Sequence, residues 1–433
     1  RRAAAGKLLD DPMSQHFQSL LKACSRVGSA PHCQKAITAA SSDAFNGLAF
    51  SKSSGAENMT NEELAEFRKR FKTRVSEDSK QVAGNKYVWQ QYSTWRQVSV
   101  RAFENESPAL TKSLVDAING QGLGWNAKYH QYKSVQNVKQ LTGLTDSPGE
   151  HALILEDTKK NEKQDLLQLQ GQQEPEGPFD GRENWPECRE TMRHVRFQTC
   201  NNCWSHASAL IAESRTCIET KGRFTGTNAW LSQSYIAACR PDGMDYCQAG
   251  SGTIGFRTIN RWGIPTGVAD SQSNAANDAR TCYPQLDSGL TGVKCPANCR
   301  DRMYARDLSS DLFYPRFQPR ALHHSGAATL HMAKKAMMED GPILVGFMVY
   351  ADLFAYADGI YKPSTEPSNQ RVGGHAVTAM GFGPGYILCI NSWGPTFGVN
   401  GAFKIVPEAV NLGFYLPGPM LGAGHEWLPL PVP

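Results

Sequence analysis

The sequence predicts an α+β fold in which a run of helices precedes a run of strands. Apolar and small residues recur at helical spacing in two segments, 203–219 and 253–262. Apolar strand patterns come later in the chain, at 343–350, 375–382, 386–391 and 401–406. Helices followed by strands are typical of an α+β architecture, and we expect two lobes with a cleft between them.

The length and charge of the chain exclude several classes of protein. Its 433 residues are enough for two or three domains, and 20% charged residues with a formal net charge of +4 fit a globular protein. The basic residues are scattered, which argues against a nucleic-acid partner, and no apolar run reaches the roughly 18 to 20 residues of a membrane helix. Because the first residue is Arg, we expect the numbering to begin inside a precursor. Neither a metal nor a cofactor is expected.

The first predicted helix begins within the stretch Gln198-Thr199-Cys200-Asn201-Asn202-Cys203-Trp204. The thiol of Cys203 would lie at the positive end of this helix, where the macrodipole and free N–H groups favour the nucleophilic thiolate. A C-x-x-C pair can also be half of a metal site, a disulfide or a redox pair. The motif alone leaves these alternatives open.

Two later segments supply partners for a nucleophilic thiol. His375 stands at the head of an apolar strand, and Asn391 stands at the end of the next one. His375 could accept the thiol proton, Asn391 could hold the imidazole tautomer, and Trp393 could cover that hydrogen bond from water. The chain therefore contains a Cys-His-Asn set in the order nucleophile, base and orienting residue.

These motifs resemble those of the papain-like cysteine peptidases, and most closely the cathepsin B group. The resemblance covers about 179 to 416 and rests on the segments 179–188, 200–204, 246–250, 341–343, 373–376 and 391–394. It implies a cysteine endopeptidase made as a zymogen, with a helical left lobe and a β-barrel-like right lobe. It further implies that Gln198 completes the oxyanion hole and that substrate binds at Ala249, Gly250, Gly374 and Trp393.

The chain departs from the family pattern around the thiol. Gln198 lies five residues before Cys203 where the family has six, so the intervening turn is one residue shorter. Asn201-Asn202 and Ser205-His206 also differ from the small and aromatic residues of the family, and the cleft is therefore atypical. A second hypothesis stays open: a catalytically impaired relative that acts as a binding or structural protein. A thiol-disulfide oxidoreductase is a third, although no thioredoxin-like βαβ pattern surrounds the two cysteines.

The 12 cysteines indicate an oxidising compartment. By resemblance to the cathepsin B group we pair Cys188 with Cys217, Cys200 with Cys247, Cys239 with Cys295 and Cys282 with Cys299, and by proximity Cys24 with Cys33. Cys203 and Cys389 then stay unpaired. Such a framework favours the secretory pathway, with a lysosome-like vacuole or the cell exterior as the destination.

Three regions are expected along the chain. Residues 1–107 form a polar, helix-leaning extension whose role the sequence does not assign, 108–178 form a propeptide and linker, and 179–433 form the peptidase domain. By resemblance, a short helix at 108–119 begins the propeptide, and 138–144 runs backwards over the active site. The propeptide would then inhibit its own enzyme, because reversal prevents its cleavage.

The insertion from Cys239 to Cys299 bears on specificity. In the cathepsin B group it carries a disulfide-closed loop with paired histidines, which blocks one end of the cleft. Here only twelve residues separate Cys282 from Cys295, and none of them is His. His323-His324 follow Cys299 and are expected at the surface. We therefore expect an endopeptidase acting on peptide or protein substrates, without dipeptidyl-carboxypeptidase activity.

Overall fold

The structure is a computed structural model. It describes residues 110–129, 138–145, 169, 171–175, 177–267, 281–286, 292–315, 320–322, 327–417 and 420–421. The expected Cys24–Cys33 pair, the extension 1–107 and His323-His324 lie outside the described residues. Within the described part, no helix is long and apolar enough to cross a membrane.

The chain divides into two compact units. The first comprises Arg1–Gln121, Lys128–Val138 and Ser364–Gln370, and the second comprises Gly122–Ala127, Lys139–Pro363 and Arg371–Pro433. Every residue of the predicted active site belongs to the second unit. The expected boundaries at 107 and 178 stay a prediction.

Helix α1 of the first unit spans Lys112–Gly120, within a turn of the predicted position. It begins after Thr111, whose side-chain hydroxyl accepts a hydrogen bond from the N–H of Leu114 at 3.1 Å. Leu114 and Ile118 are four residues apart and both buried, which gives the helix one apolar face. Just past its end, the Gln121 side chain donates to Glu366 at 2.5 Å.

The second unit contains the remaining helices and the strands. The helices in the described residues are α2 Gly181–Asn184, α3 Arg189–Met192, α4 Cys203–Glu219, α5 Gln233–Ala238, α6 Ile254–Trp262 and α7 Ala327–Glu339. Helix α4 has the predicted bounds, and all its residues from Cys203 to Cys217 are buried. A helix that is buried on every side is central to its domain.

The strands form one main sheet. In chain order they are β1 Trp125–Ala127, β2 Phe179–Asp180, β3 Tyr314–Pro315, β4 Arg320–Leu322, β5 Ile343–Tyr350, β6 Tyr356–Tyr361, β7 Arg371–Gly383, β8 Tyr386–Ile390, β9 Ala402–Ile405, β10 Gly413–Leu416 and β11 Met420–Leu421. Within the described residues, the sheet order is β1-β6-β9-β8-β7-β5-β10-β4, β2 also pairs with β7, and β3 pairs separately with β11. Helices followed by a largely antiparallel sheet confirm the predicted α+β class.

The register of the central strands brings the predicted base and orienting residue together. His375 pairs with Phe347 of β5, and Thr378 pairs with Ile390 of β8. Asn391 follows Ile390 directly and therefore lies near His375. The prediction that His375 heads its strand is wrong: β7 begins at Arg371, because Gly373 and Gly374 pair with β5 despite their low strand preference.

Four disulfides join the described cysteines in the pairs that the resemblance implies. They are Cys188–Cys217, Cys200–Cys247, Cys239–Cys295 and Cys282–Cys299. Cys203 and Cys389 are the free cysteines of the described part, and both are buried. Cys200–Cys247 links the turn before α4 to the loop that carries Gly250.

Candidate active site

Cys203 is the first residue of α4, and its sulfur faces backbone N–H groups. The N–H of Ala376 donates to its Sγ at 3.3 Å. Burial raises the pKa of the thiol to about 12, and hydrogen bonds from the backbone of Ala376, Trp204 and Cys203 itself oppose that rise. The thiol is thus protonated in this covered state, although its surroundings already provide donors for a thiolate.

His375 and Asn391 form a hydrogen-bonded pair. His375 Nε2 lies 2.8 Å from Asn391 Oδ1, and the same oxygen accepts the backbone N–H of Ser392 at 2.8 Å. Because a backbone N–H can only donate, the atom facing it must be the amide oxygen, and His375 Nε2 must then carry the proton. The other ring nitrogen, Nδ1, has no partner among the described residues. It is the atom that can accept a proton.

Trp393 covers this pair. Its ring stacks on the imidazole of His375, with 4.9 Å between the ring centroids and 23° between the planes. The same ring also stacks on Phe354, with 4.5 Å between the ring centroids. Burial lowers the pKa of His375 to about 4, although the hydrogen bond to Asn391 raises it. Thiol and imidazole are therefore both neutral in this state.

Gln198 reaches the cleft in spite of the shortened turn. Its side-chain Nε2 donates to the carbonyl of Cys200 at 3.0 Å and to that of Gln140 at 3.4 Å. The N–H of Asn202 donates to the carbonyl of Cys200 at 2.7 Å, which closes a three-residue turn. This tight turn accommodates a segment that is one residue shorter than the family pattern. The side chain of Ser392 fixes the amide by donating to Gln198 Oε1 at 2.6 Å.

Residues 139–145 lie along the cleft. The N–H groups of Gly143 and Leu144 donate to the carbonyl of Gly374, both at 2.9 Å, and the N–H of Gly250 donates to the carbonyl of Gly143 at 2.9 Å. Leu144 runs parallel to Gly250 and antiparallel to Gly374. Trp393 Nε1 donates to the carbonyl of Leu141 at 2.8 Å. Three of the expected substrate-binding residues thus hold this segment.

The fourth expected residue, Ala249, has a different contact. Its carbonyl accepts from Arg240 at 3.0 Å, and Arg240 also donates to the carbonyl of Gln248 at 2.7 Å. The guanidinium stacks over the ring of Trp204 with 4.9 Å to its centroid. Arg240 therefore holds the loop that presents Gly250.

Sequence reasoning missed Arg240 and Ser392 as site residues. Ser392 follows Asn391 directly and could have been found from that position. Arg240 carries no such signal, because its stacking on Trp204 joins residues that are 36 positions apart.

The known proteins that this chain resembles are cysteine proteases. A family model described as papain family cysteine protease matches residues 178–413. Cathepsin B-like cysteine proteinase 5 of Caenorhabditis elegans is 29% identical over 332 residues, 70% of this chain and 87% of the relative. The gut-specific cysteine proteinase of the same organism is 30% identical over 243 residues, 52% of this chain and 67% of the relative. A solved procathepsin B from Trypanosoma congolense, 24% identical, covers 72% of this chain and 99% of its own with a TM-score of 0.53.

Proposed function

The chain belongs to the papain family of cysteine proteases, and from this premise we propose that it is a cathepsin B-like endopeptidase made as an inactive zymogen. The observation that carries the proposal is the set of Cys203 at the start of a buried helix and the hydrogen-bonded His375–Asn391 pair beside it. This set can supply a nucleophile, a proton acceptor and a group that orients the acceptor.

The proposed reaction has two halves. Cys203 Sγ transfers its proton to His375 Nδ1 and attacks the scissile carbonyl carbon. The resulting oxyanion accepts hydrogen bonds from the backbone N–H of Cys203 and the side-chain amide of Gln198. His375 then returns the proton to the leaving amine as the C–N bond breaks, which leaves an acyl thioester. A water molecule, deprotonated by His375, attacks the thioester and releases the second product with regeneration of the thiol. Asn391 holds the imidazole throughout.

Inhibition by the chain's own propeptide is supported by the segment 139–145. It bonds to both backbone positions expected to hold substrate, Gly250 and Gly374. A segment that runs opposite to a substrate presents its peptide bonds in the wrong direction to the thiol. We assign 1–107 as an extension, 108–178 as propeptide and linker, and 179–433 as the peptidase domain.

Endopeptidase action is supported by the composition of the insertion. The whole interval from Cys239 to Cys299, which holds the Cys239–Cys295 and Cys282–Cys299 bridges, contains no His. It therefore lacks the imidazoles that could bind a substrate's terminal carboxylate. The four disulfides support synthesis in the secretory pathway, with a vacuole or the cell exterior as the site of action.

An electrophilic peptide probe and a peptide substrate test the proposal together. The processed protein should be labelled at Cys203 and should cut a long peptide at internal bonds. Cys203→Ser should abolish both results, whereas the matched variant Cys389→Ala removes the other free thiol and should retain both. Full turnover in Cys203→Ser would overturn the mechanism. A ladder of dipeptides released from the substrate's carboxyl end would instead overturn the endopeptidase assignment alone.

A further inference from the structure

A small cavity borders Asn391, the hydrogen-bond partner of His375. Its lining includes Arg196, His206, Ala376 and Asn391, which come from four separate parts of the sequence. The cavity leaves about 10 Å³ for the centre of a water molecule, and roughly 10 to 15 Å³ is what a single water needs. It therefore has room for one water and for nothing larger.

Three lining side chains each carry a buried nitrogen that has no hydrogen-bond partner among the described residues. They are Arg196 Nε, Asn391 Nδ2 and His206 Nδ1. The guanidinium and amide nitrogens can only donate, whereas Nδ1 of a neutral imidazole can accept. Two donors and one acceptor match a water molecule, which accepts two hydrogen bonds and donates in return. Buried waters typically make about three such bonds.

Burial and the surrounding charges keep His206 neutral, so that one of its two ring nitrogens can accept a hydrogen bond. Burial lowers its pKa well below 6.5, and the nearby Arg196, His194 and His375 lower it further. Glu213, on the same helix, is already paired with Arg196 and His194. Its Oε1 also accepts the N–H of Leu231 at 2.6 Å. The carboxylate of Glu213 therefore already has three partners, Arg196, His194 and the N–H of Leu231.

We propose that the cavity is a site for one structural water, bound by Arg196, Asn391 and His206, and that His206 is thereby a positioning residue for the His375–Asn391 pair. The water fixes the amide nitrogen of Asn391, and the amide oxygen then stays directed at His375 Nε2. The kinetic part of this inference rests on the proposed function; the water site itself does not.

The water and the imidazole are tested directly in the intact chain. A high-resolution crystal structure should contain one water in the cavity, within hydrogen-bond distance of all three nitrogens. Magnetic resonance of isotope-labelled histidine should show His206 Nδ1 without a proton at neutral pH. A cavity without water, or a proton on Nδ1, would overturn the proposal even if the protein were an active peptidase.

Two variants of nearly equal size test the positioning role. His206→Asn can place an amide oxygen close to where Nδ1 lies, whereas His206→Leu cannot accept a hydrogen bond. In His206→Leu we expect kcat to fall on the order of tenfold with KM little changed, and His206→Asn should recover most of the loss. Neither substitution changes the charge, because His206 is neutral.

The pH profile separates positioning from a general loss of structure. Loosening Asn391 weakens its bond to the imidazolium, so the pKa of His375 falls. The alkaline limb of kcat/KM should therefore move to lower pH in His206→Leu but not in His206→Asn. Equal profiles and equal kcat in both folded variants and the wild type would refute the positioning role. If the processed wild type cleaves no peptide, the proposed function has failed, while the crystal and resonance measurements still decide the water site.

Discussion

Gly143→Ala should release the active site from its covering segment. A Cβ at this position would lie 2.3 Å from the backbone oxygen of Asn201 and 2.8 Å from its Cα. Ordinary contact begins at 3.4 Å, so the backbone of the segment must move by about 1 Å. Alanine can adopt the backbone conformation itself, because φ at Gly143 is not positive. The effect is therefore a steric one at the cleft.

The size of the effect follows from the contacts that this movement disturbs. Gly143 makes one hydrogen bond to Gly374 and accepts one from Gly250, and each contributes about 0.5 to 1.5 kcal/mol. The next residue, Leu144, is only 6% exposed, and complete burial of a leucine is worth about 1.5 to 3 kcal/mol. Losing both bonds and part of this burial costs about 2 to 4 kcal/mol. The open state should become roughly 30- to 1000-fold more populated.

Alkylation of Cys203 in the intact chain measures this opening. Gly143→Ala should accelerate labelling by about the factor given above. Gly120→Ala is the matched control, because the added methyl group meets no atom within 4 Å. Equal labelling rates in the two variants, with unchanged thermal unfolding, would refute the placement of residues 139–145 over the thiol.

Three further predictions concern the same cleft. Gln198→Ala should lower kcat about a hundred- to a thousandfold while the labelling of Cys203 hardly changes; unchanged turnover would mean that this amide is no oxyanion donor. The pKa of His375 is about 4 in the folded zymogen and 6.5 in an unfolded chain. Between pH 4 and pH 6.5, the unfolded chain therefore binds more protons than the folded one. The unfolding free energy of the zymogen should therefore fall by about 3 kcal/mol as the pH drops from 6.5 to 4, and urea titrations in which His375→Gln showed the same fall would contradict this cause. Finally, the side chain of Leu144 occupies a pocket formed by Gly346 and Leu412. The pocket is close-fitting, because a Cβ added to Gly346 would lie only 2.6 Å from Leu144 Cδ2. Peptides with Leu at the position that fills this pocket should be cleaved at least about tenfold faster than peptides with Arg there. Equal rates would show that another pocket determines substrate preference.

The sequence predicts those parts of the molecule whose signals are local. The bounds of α4 follow from helical spacing over 17 residues without Gly or Pro, and β5 follows from a continuous apolar run. Strand β6 was missed because Asp358 and Gly359 interrupt its apolar pattern. Its strand conformation depends on pairing with β1 and β9, which are distant in sequence.

The active site likewise has residues that local motifs predict and residues whose placement depends on distant parts of the chain. Cys203, His375 and Asn391 each stand at a recognisable place in a local motif, and their order along the chain suggests their roles. The direction of the Gln198 amide could not be read from spacing, because it depends on Ser392, 194 residues away. The cavity shared by Arg196 and His206 depends on tertiary packing alone.

The Cys200–Cys247 bridge restricts the conditions under which the cleft can stay assembled. It joins the turn that follows Gln198 covalently to the loop that carries Gly250. In a reducing environment this link is lost, and the stacking of Arg240 on Trp204 then connects the Gly250 loop to α4 without a covalent bond. If the chain is the peptidase proposed above, reduction of this bridge should therefore lower its cleavage efficiency.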